Sequence, residues 1–434
     1  MKTTDNNCGN LQVDEVHLSN LKMIANVSIG NLKLEDYPNL LVFPNNLNQY
    51  GDKISEKSIF SLEESTLTTG NIMGFVGVNN SEIKIQSRFA KGDDDYFLHY
   101  MLQKVFSINM FDLKHSFDKE TIFDFLLYLF PYFLKKAMSQ GLFKEYQNRE
   151  YNNANVHGTI DVNRHIQQNI PFAGKISYRV REHSYDNNTT QLIRHTIEYI
   201  RKHLLGGNIL NNDSDTQSFV SQIILATPSY SKNKRTDIIN KNIKTFSHPY
   251  FIEYQYLQKI CLQILRYEGL KFGEEKDKVY GLLFDGAWLW EEYLYTVLKN
   301  AGFIHPENNS SKKPIYLFDN PKKYSRYPDF WKDNFILDAK YKRLSATHDE
   351  KIDRDDMHQI ISYMYVKCAN LGGLIFPSED EFLGTNAVSI GKLNGYGGEF
   401  KLWSVYIPKT DGTYSDYCNL MKQNEKKILK LIEN

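Results

Sequence analysis

Apolar positions along this 434-residue chain recur with two different periods, and the change falls near residue 95. From about residue 10 to residue 90 the pattern is that of strands and turns. In NIMGFVGVNNSEIKIQSRF (71–89), Gly74 to Val78 reads as one apolar strand and Asn79-Asn80 as a turn. Ile83 and Ile85 then alternate with Lys84 and Gln86 on the return. YPNLLVFP (37–44) reads as a short strand closed by prolines. Beyond residue 95, DYFLHYMLQKVFSI and TIFDFLLYLFPYFLKKAMSQGLF carry helical spacing. A strand-like, basic stretch around GTIDVNRHI and KISYRVREHSY leads into a second helix, NTTQLIRHTIEYIRKHLL (188–205). GGNILNNDSDTQS (206–218) has loop composition. Helices resume at YFIEYQYLQKICLQILRYEGL.

The last block has the order helix, strands, helix, strand. In DGAWLWEEYLYTVLKNAGF (285–303), Trp290, Leu294, Val297, Leu298 and Ala301 share one helix face. DRDDMHQIISYMYVKCANLGG (353–373) reads as a helix with Ile360, Ile361, Met364 and Tyr365 as its apolar side, capped at Gly372-Gly373. LIFP (374–377) reads as a buried strand. These patterns predict an α/β multi-domain protein in three parts. They are a β-rich N-terminal domain (1–115), a mainly helical middle domain (116–270) and a C-terminal α/β domain (271–434).

Between the two helices of the last block lies YPDFWKDNFILDAKYKR (327–343). With Asp333-Asn334 as a two-residue turn, Asp329 sits opposite Asp338. Alternation then puts Asp329, Trp331, Ile336, Asp338 and Lys340 on one face, and Phe330, Phe335, Leu337, Ala339 and Tyr341 on the other. The second face is apolar and suits a core. The first opposes two carboxylates, which repel. A divalent cation relieves that conflict, since Mg²⁺ takes hard oxygen ligands and is often held by one or two carboxylates with phosphate and water. Lys340 points to the same side, where it can orient or deprotonate a water or neutralise a phosphate. The Ala339 carbonyl lies between the two and is a further candidate ligand. The alternative is a surface hairpin with weak ion pairs.

Composition narrows the class. At 41% hydrophobic and 24% charged residues the chain is globular, and its length suggests about two or three domains. The formal net charge of zero excludes a uniformly basic DNA-coating protein. Locally, residues 321–345 hold seven Lys/Arg against three Asp. Cys8, Cys261, Cys368 and Cys418 form no CxxC pair, which argues against a zinc ribbon or a thioredoxin-like site. The N-terminus lacks the apolar core of a signal peptide, and the most apolar run (122–134) contains Asp124 and Pro131. The expectation is a cytoplasmic protein with no membrane span. There is no HExxH and no GxSxG, and His157, His165, His195, His203 and His358 read as surface or packing residues. No GxxxxGK[ST] is present, so hydrolysis of GTP or ATP by a P-loop is not expected of this chain. Arg181, His183, Arg194, Arg201 and Lys202 form a basic cluster that suits a DNA backbone or a solvated face.

YPDF…ILDAKYK resembles the PD-(D/E)xK nuclease motif, through Pro328-Asp329 and Asp338-Ala339-Lys340. LWEEYL is similar to the FE-x-Y-V helix of that family, and DDMHQIISYMY resembles the D-x-x-Q-x-x-x-Y helix of one branch. That branch is McrC, the nuclease subunit of McrBC-type restriction systems, with its LlaJI-like relatives. The 71–89 hairpin and VHGTIDVNRHI look like its N-terminal and central segments, with Ser87-Arg88-Phe89 where the family has a Pro-Lys pair. The resemblance implies a PD-(D/E)xK fold, with a mixed sheet flanked by helices, and an endodeoxyribonuclease of an anti-phage restriction system. It implies Mg²⁺ (or Mn²⁺) on Asp329 and Asp338, Lys340 as catalytic lysine and Glu291, rather than Glu292, as an accessory metal ligand. Gln359 is implied as an accessory contact, with Tyr363 as core. It further implies double-stranded DNA and a McrB-like AAA+ NTPase hexamer as partners, with GTP or ATP used only by that partner, and a partner-binding N-terminal domain. The alternatives are a non-catalytic docking module that activates the ring, or a free-standing restriction endonuclease.

Overall fold

The computed structural model describes residues 1–32, 37, 39–44, 54–107, 119–204, 206–211, 213–271, 279–306, 314–343, 352–395 and 397–433. The chain divides into two compact units, Met1–Ile122 together with Lys276–Asn434, and Phe123–Glu275. The described residues form a mixed α/β structure with several sheets. None of their helices is long and apolar enough to cross a membrane.

The first unit contains two five-stranded sheets. In the N-terminal one, the expected hairpin is present as Ile72–Val78 and Ser81–Gln86, turning at Asn79 with φ 52°. YPNLLVFP supplies the strand Asn39–Phe43. Between them runs Val279–Asp285, antiparallel to Ile72–Val78 and parallel to Asn39–Phe43. This strand, VYGLLFD, stands where the sequence reading expects the last block to open directly on a helix. It is buried along nearly its whole length, so it shows no alternation of apolar and polar residues. Its last residue, Asp285, accepts a hydrogen bond from the Trp288 N–H and caps the helix Gly286–Leu298. The N-terminal sheet therefore fixes where that helix begins.

The second sheet of this unit is mixed, with strand order Phe330–Lys332, Phe335–Ala339, Leu371–Ser378, Glu399–Tyr406 and Val388–Lys392. The inner pairs are parallel and the two edge pairs antiparallel. The helix Arg354–Lys367 crosses over between the parallel strands Phe335–Ala339 and Leu371–Ser378. Ile360, Tyr363 and Met364 on this helix pack with Ile336, Leu374, Phe376 and Phe400 of the sheet. Tyr363 is buried and Tyr365 is 61% exposed, so the inward face keeps Ile360 and Met364 but is turned toward Tyr363 and away from Tyr365. The helix ends at Cys368, which adopts φ 52°, and not at the glycines. Gly372 and Gly373 lie in the following strand. A Cβ on Gly372 would stand 2.4 Å from Met364 Sδ, and one on Gly373 only 1.7 Å from the Lys401 carbonyl oxygen.

The second unit is built on helices, the long ones including Asn188–Lys202 and Glu253–Lys271. It also holds a three-stranded antiparallel sheet that composition did not reveal in full. KISYRVREHSY contributes Ile176–Ser184, as expected, but its partner Glu145–Asn153 is the polar stretch EYQNREYNN. GTIDVNRHI divides into a two-residue strand and the helix Val162–Gln168, capped by Asp161. The stretch 206–218 is not a continuous loop. It contains the short helix Gly206–Leu210 and the start of Ser214–Ala226, where Asp213 accepts from Thr216 N–H at 2.8 Å. Helix caps and loops use the same residue types, which is why composition alone misassigns this stretch.

Candidate active site

The hairpin register is the one the two-residue turn demands: Phe330↔Leu337, Trp331↔Ile336 and Lys332↔Phe335. Asp333 takes φ 47° in the turn, as tight hairpins require. One position beyond the last ladder pair, Asp329 meets Asp338. Asp329 Oδ2 accepts the Ala339 N–H at 2.7 Å, and its carboxyl lies within hydrogen-bonding reach of that of Asp338. Phe330 and Leu337 are fully buried on one side of the hairpin. The other side is not open either, because Ile336 and Trp331 pack in the core beneath the helix Arg354–Lys367. Asp338 is thus a carboxylate with only 1% exposure, at the carboxyl end of a parallel strand. In open α/β sheets, ligand crevices form outside those strand ends.

Lys340 Nζ stands 2.7 Å from Asp338 Oδ2 and 3.4 Å from Asp356 Oδ1. It donates to Gln359 Oε1 at 3.1 Å, and Gln359 Nε2 donates to the Tyr363 hydroxyl at 2.7 Å. Asp356, Gln359 and Tyr363 follow one another on a single helix face, which turns the D-x-x-Q-x-x-x-Y pattern into a wall of the site. The contact of Lys340 with Asp338 Oδ2 is a buried ion pair at hydrogen-bonding distance. Burial raises the pKa of Asp338, Lys340 works against that rise, and Asp356 adds to it. For Lys340, burial disfavours the charge, but Asp338, Asp329 and Asp356 outweigh it and hold the ammonium well above its usual range. Burial beside Asp338 likewise raises the Tyr363 hydroxyl.

Glu291 approaches from the helix Gly286–Leu298. Its Oε1 lies 3.7 Å from His305 Nε2, against 4.0 Å for the more exposed Glu292. The other ring nitrogen, Nδ1, donates to the Asp329 carbonyl at 2.8 Å. His305 is 4% exposed and packs between Tyr295 and Phe330, with both ring centroids 5.1 Å away. The structure therefore joins Glu291 to the Asp329 segment through an imidazole that sequence reasoning overlooked. The neighbouring Ile304 bridges Trp331 by two backbone hydrogen bonds, which places His305. Asp356 was also missed as a site residue, although it opens a motif that the sequence displays.

Two facing carboxylates, one of them almost fully buried, and an intervening backbone carbonyl form a donor set that suits Mg²⁺, which commonly binds one or two carboxylates and completes its shell with phosphate and water. Among the described residues, no three His, Cys, Asp or Glu side chains converge as a ready metal cluster. Glu291 accordingly stands beside the pair, on the far side of His305. The N-terminal sheet reaches the site through Ser87-Arg88-Phe89. Arg88 pairs with Asp5 at 2.5 Å and lies 4.8 Å over the Tyr341 ring, while Ser87 Oγ is 3.2 Å from the Tyr341 hydroxyl. These residues lock the position following Lys340.

The basic cluster read from the sequence does not stay together. Arg181 and His183 stack on Tyr146 of the ribbon, whereas Arg194 and Arg201 both pair with Glu198 on the helix Asn188–Lys202. His195 is 3% exposed and packs against Tyr230, and His358 is exposed.

No curated protein matches the chain. Among solved structures, it resembles a chain of the refined half-complex from the tetradecameric assembly of Thermococcus gammatolerans McrB AAA+ hexamers with bound McrC. The TM-score is 0.51 at 14% identity, covering 100% of this chain and 99% of that one. At that identity the likeness is one of fold. A chain of the Thermococcus gammatolerans McrBC complex also matches, at 15% identity over 65% of this chain and 79% of that one, with a TM-score of 0.29 that supports no argument. A family model, the McrBC 5-methylcytosine restriction system component, matches residues 67–377. That match spans the N-terminal hairpin, the whole second unit and the site from Glu291 to Gln359, and on it the chain belongs to the family of McrBC 5-methylcytosine restriction system components.

Proposed function

We propose that the first unit is a PD-(D/E)xK endodeoxyribonuclease that hydrolyses phosphodiesters of double-stranded DNA with Mg²⁺ or Mn²⁺. The observation that carries this reading is the almost fully buried Asp338 carboxylate, which faces Asp329 across a hairpin whose register is fixed and has Lys340 Nζ 2.7 Å from its Oδ2. Asp329, Asp338 and the Ala339 carbonyl would hold the ion, with Glu291 as accessory acid behind His305. When bound, the ion would supply Lewis-acid chemistry, polarising a phosphoryl oxygen and lowering the pKa of an attacking water. Lys340 contributes charge: three carboxylates keep it protonated, and Gln359 aims it. It would offset negative charge at the phosphate.

The sequence shows no P-loop, and one chain it resembles comes from an assembly of McrB AAA+ hexamers with bound McrC. We therefore assign nucleotide hydrolysis and DNA movement to a McrB-like ring, with this chain as the cutting subunit. The test combines purified chain, candidate ring, GTP or ATP, Mg²⁺ and DNA. Asp338→Asn and Lys340→Ala should each lower cleavage by roughly 10²-fold or more while leaving NTPase stimulation intact. EDTA should abolish cleavage. Undiminished cutting by both variants would refute the assignment, and NTPase stimulation with no cleavage by the native chain would favour the docking module. Strong cutting without ring or nucleotide would favour the free-standing endonuclease.

A further inference from the structure

The second unit contains a cavity of about 350 Å³ between the helix Asn188–Lys202 and residues 230–235. Its wall carries three cations, Lys202, Lys232 and Arg235. The acid in the wall, Glu198, is already engaged by Arg194 at 2.9 Å and Arg201 at 2.8 Å. His203, also in the wall, stands 3.7 Å from Asp124. The His195 ring lines the cavity at 3% exposure, and among the described residues its Nε2 has no hydrogen-bond partner.

Two features of this arrangement work against folding. A buried ring nitrogen without a partner costs free energy, and gathered cations repel. An anion removes both penalties. The aromatic neighbours already engage cations or another ring. Arg194 lies 4.8 Å over Tyr230, whose other neighbour is the His195 ring at 4.7 Å, and Arg235 lies 5.0 Å over Tyr199. We propose that this cavity binds a phosphate group, with Lys202, Lys232 and Arg235 supplying charge and His195 Nε2 a directed hydrogen bond. The phosphate can come from a DNA backbone or from a free nucleoside triphosphate, and the site is independent of the nuclease centre.

The test uses the full chain. Inorganic pyrophosphate is titrated by calorimetry, and duplex DNA binding is measured by anisotropy across a salt series. Lys202 and Lys232 are exposed, so the double variant Lys202→Glu/Lys232→Glu should fold normally, with a matched melting curve as the check. Pyrophosphate should saturate one site and weaken at least tenfold in the double variant and in His195→Leu, which removes the ring donor. Lys241→Glu, an exposed control that pairs with Asp237, should bind normally. If the source is DNA, the salt slope of duplex binding falls by about 0.9 for each backbone phosphate that is no longer neutralised. If the source is a free triphosphate, a non-hydrolysable analogue weakens while the DNA slope is unchanged. Absence of saturable pyrophosphate binding together with an unchanged DNA slope would overturn the proposal, as would an equal loss in Lys241→Glu.

Discussion

Asp329 is held twice before any ligand binds: its carboxylate accepts the Ala339 N–H, and its carbonyl accepts the His305 ring. The pairing of Asp329 with Asp338 was legible in the sequence, because hairpin partners lie within one short window, but the bond to the Ala339 N–H was not. The second contact was not either, because His305 reaches in from 24 residues away and its place depends on the Ile304–Trp331 bridge. Groups that orient a metal ligand typically affect activity by roughly 10–100-fold. His305→Ala should therefore slow DNA cleavage by about that factor in kcat with DNA affinity retained. His305→Asn, which keeps a donor near Nδ1, should recover part of the rate. Equal rates for His305→Ala and the native chain would exclude the positioning role.

At the level of elements, the glycine pair shows how one residue type supports two different readings. Gly372-Gly373 after a helix suggests a C-cap, but Cys368 ends the helix and the glycines make room between strand, helix and neighbouring strand. Gly373→Ala would drive a methyl into a backbone carbonyl that cannot move aside, so it should destabilise by about 3 kcal/mol or more. Gly372→Ala meets the end of the flexible Met364 side chain and should cost less. Urea unfolding of the two variants orders them, and the reverse order would contradict the packing described. Tyr363 and Tyr365 make the same point about faces. Both fit an apolar stripe, and only the position of the sheet decides which is buried.

For the whole molecule, the two units should respond to pH in opposite directions. In the second unit, burial, with Arg235 and Arg194 nearby, pushes His195 down to about 4. As pH falls below about 6.5 the unfolded chain takes that proton first. The stability His195 contributes above that range is then lost on the way down to about pH 4. In the first unit, burial pushes Asp95 up to about 7 despite its hydrogen bonds from Ser87 and Leu98 N–H. Its contribution is complete below about pH 4 and is lost as pH rises to about 7. Hydrogen exchange resolved by segment, between pH 4 and pH 7, should show the second unit weakening on acidification. His195→Gln should flatten that trend, and Asp95→Asn the opposite trend in the first unit. An unchanged profile in either variant would discard that residue as the source.

The sequence by itself determined the N-terminal hairpin, the helix–strands–helix–strand order of the last block, and Asp329, Asp338 and Lys340 as one constellation. Each of these rests on periodicity or turn chemistry within a short window, where backbone geometry alone dictates which side chains share a face. Only the tertiary structure decided that Val279–Asp285 completes the N-terminal sheet, that polar Glu145–Asn153 is a strand, and that His305 and Asp356 border the carboxylates. Those outcomes depend on partners distant in the chain. Burial and pairing across such distances leave no periodic trace in the residues that receive them.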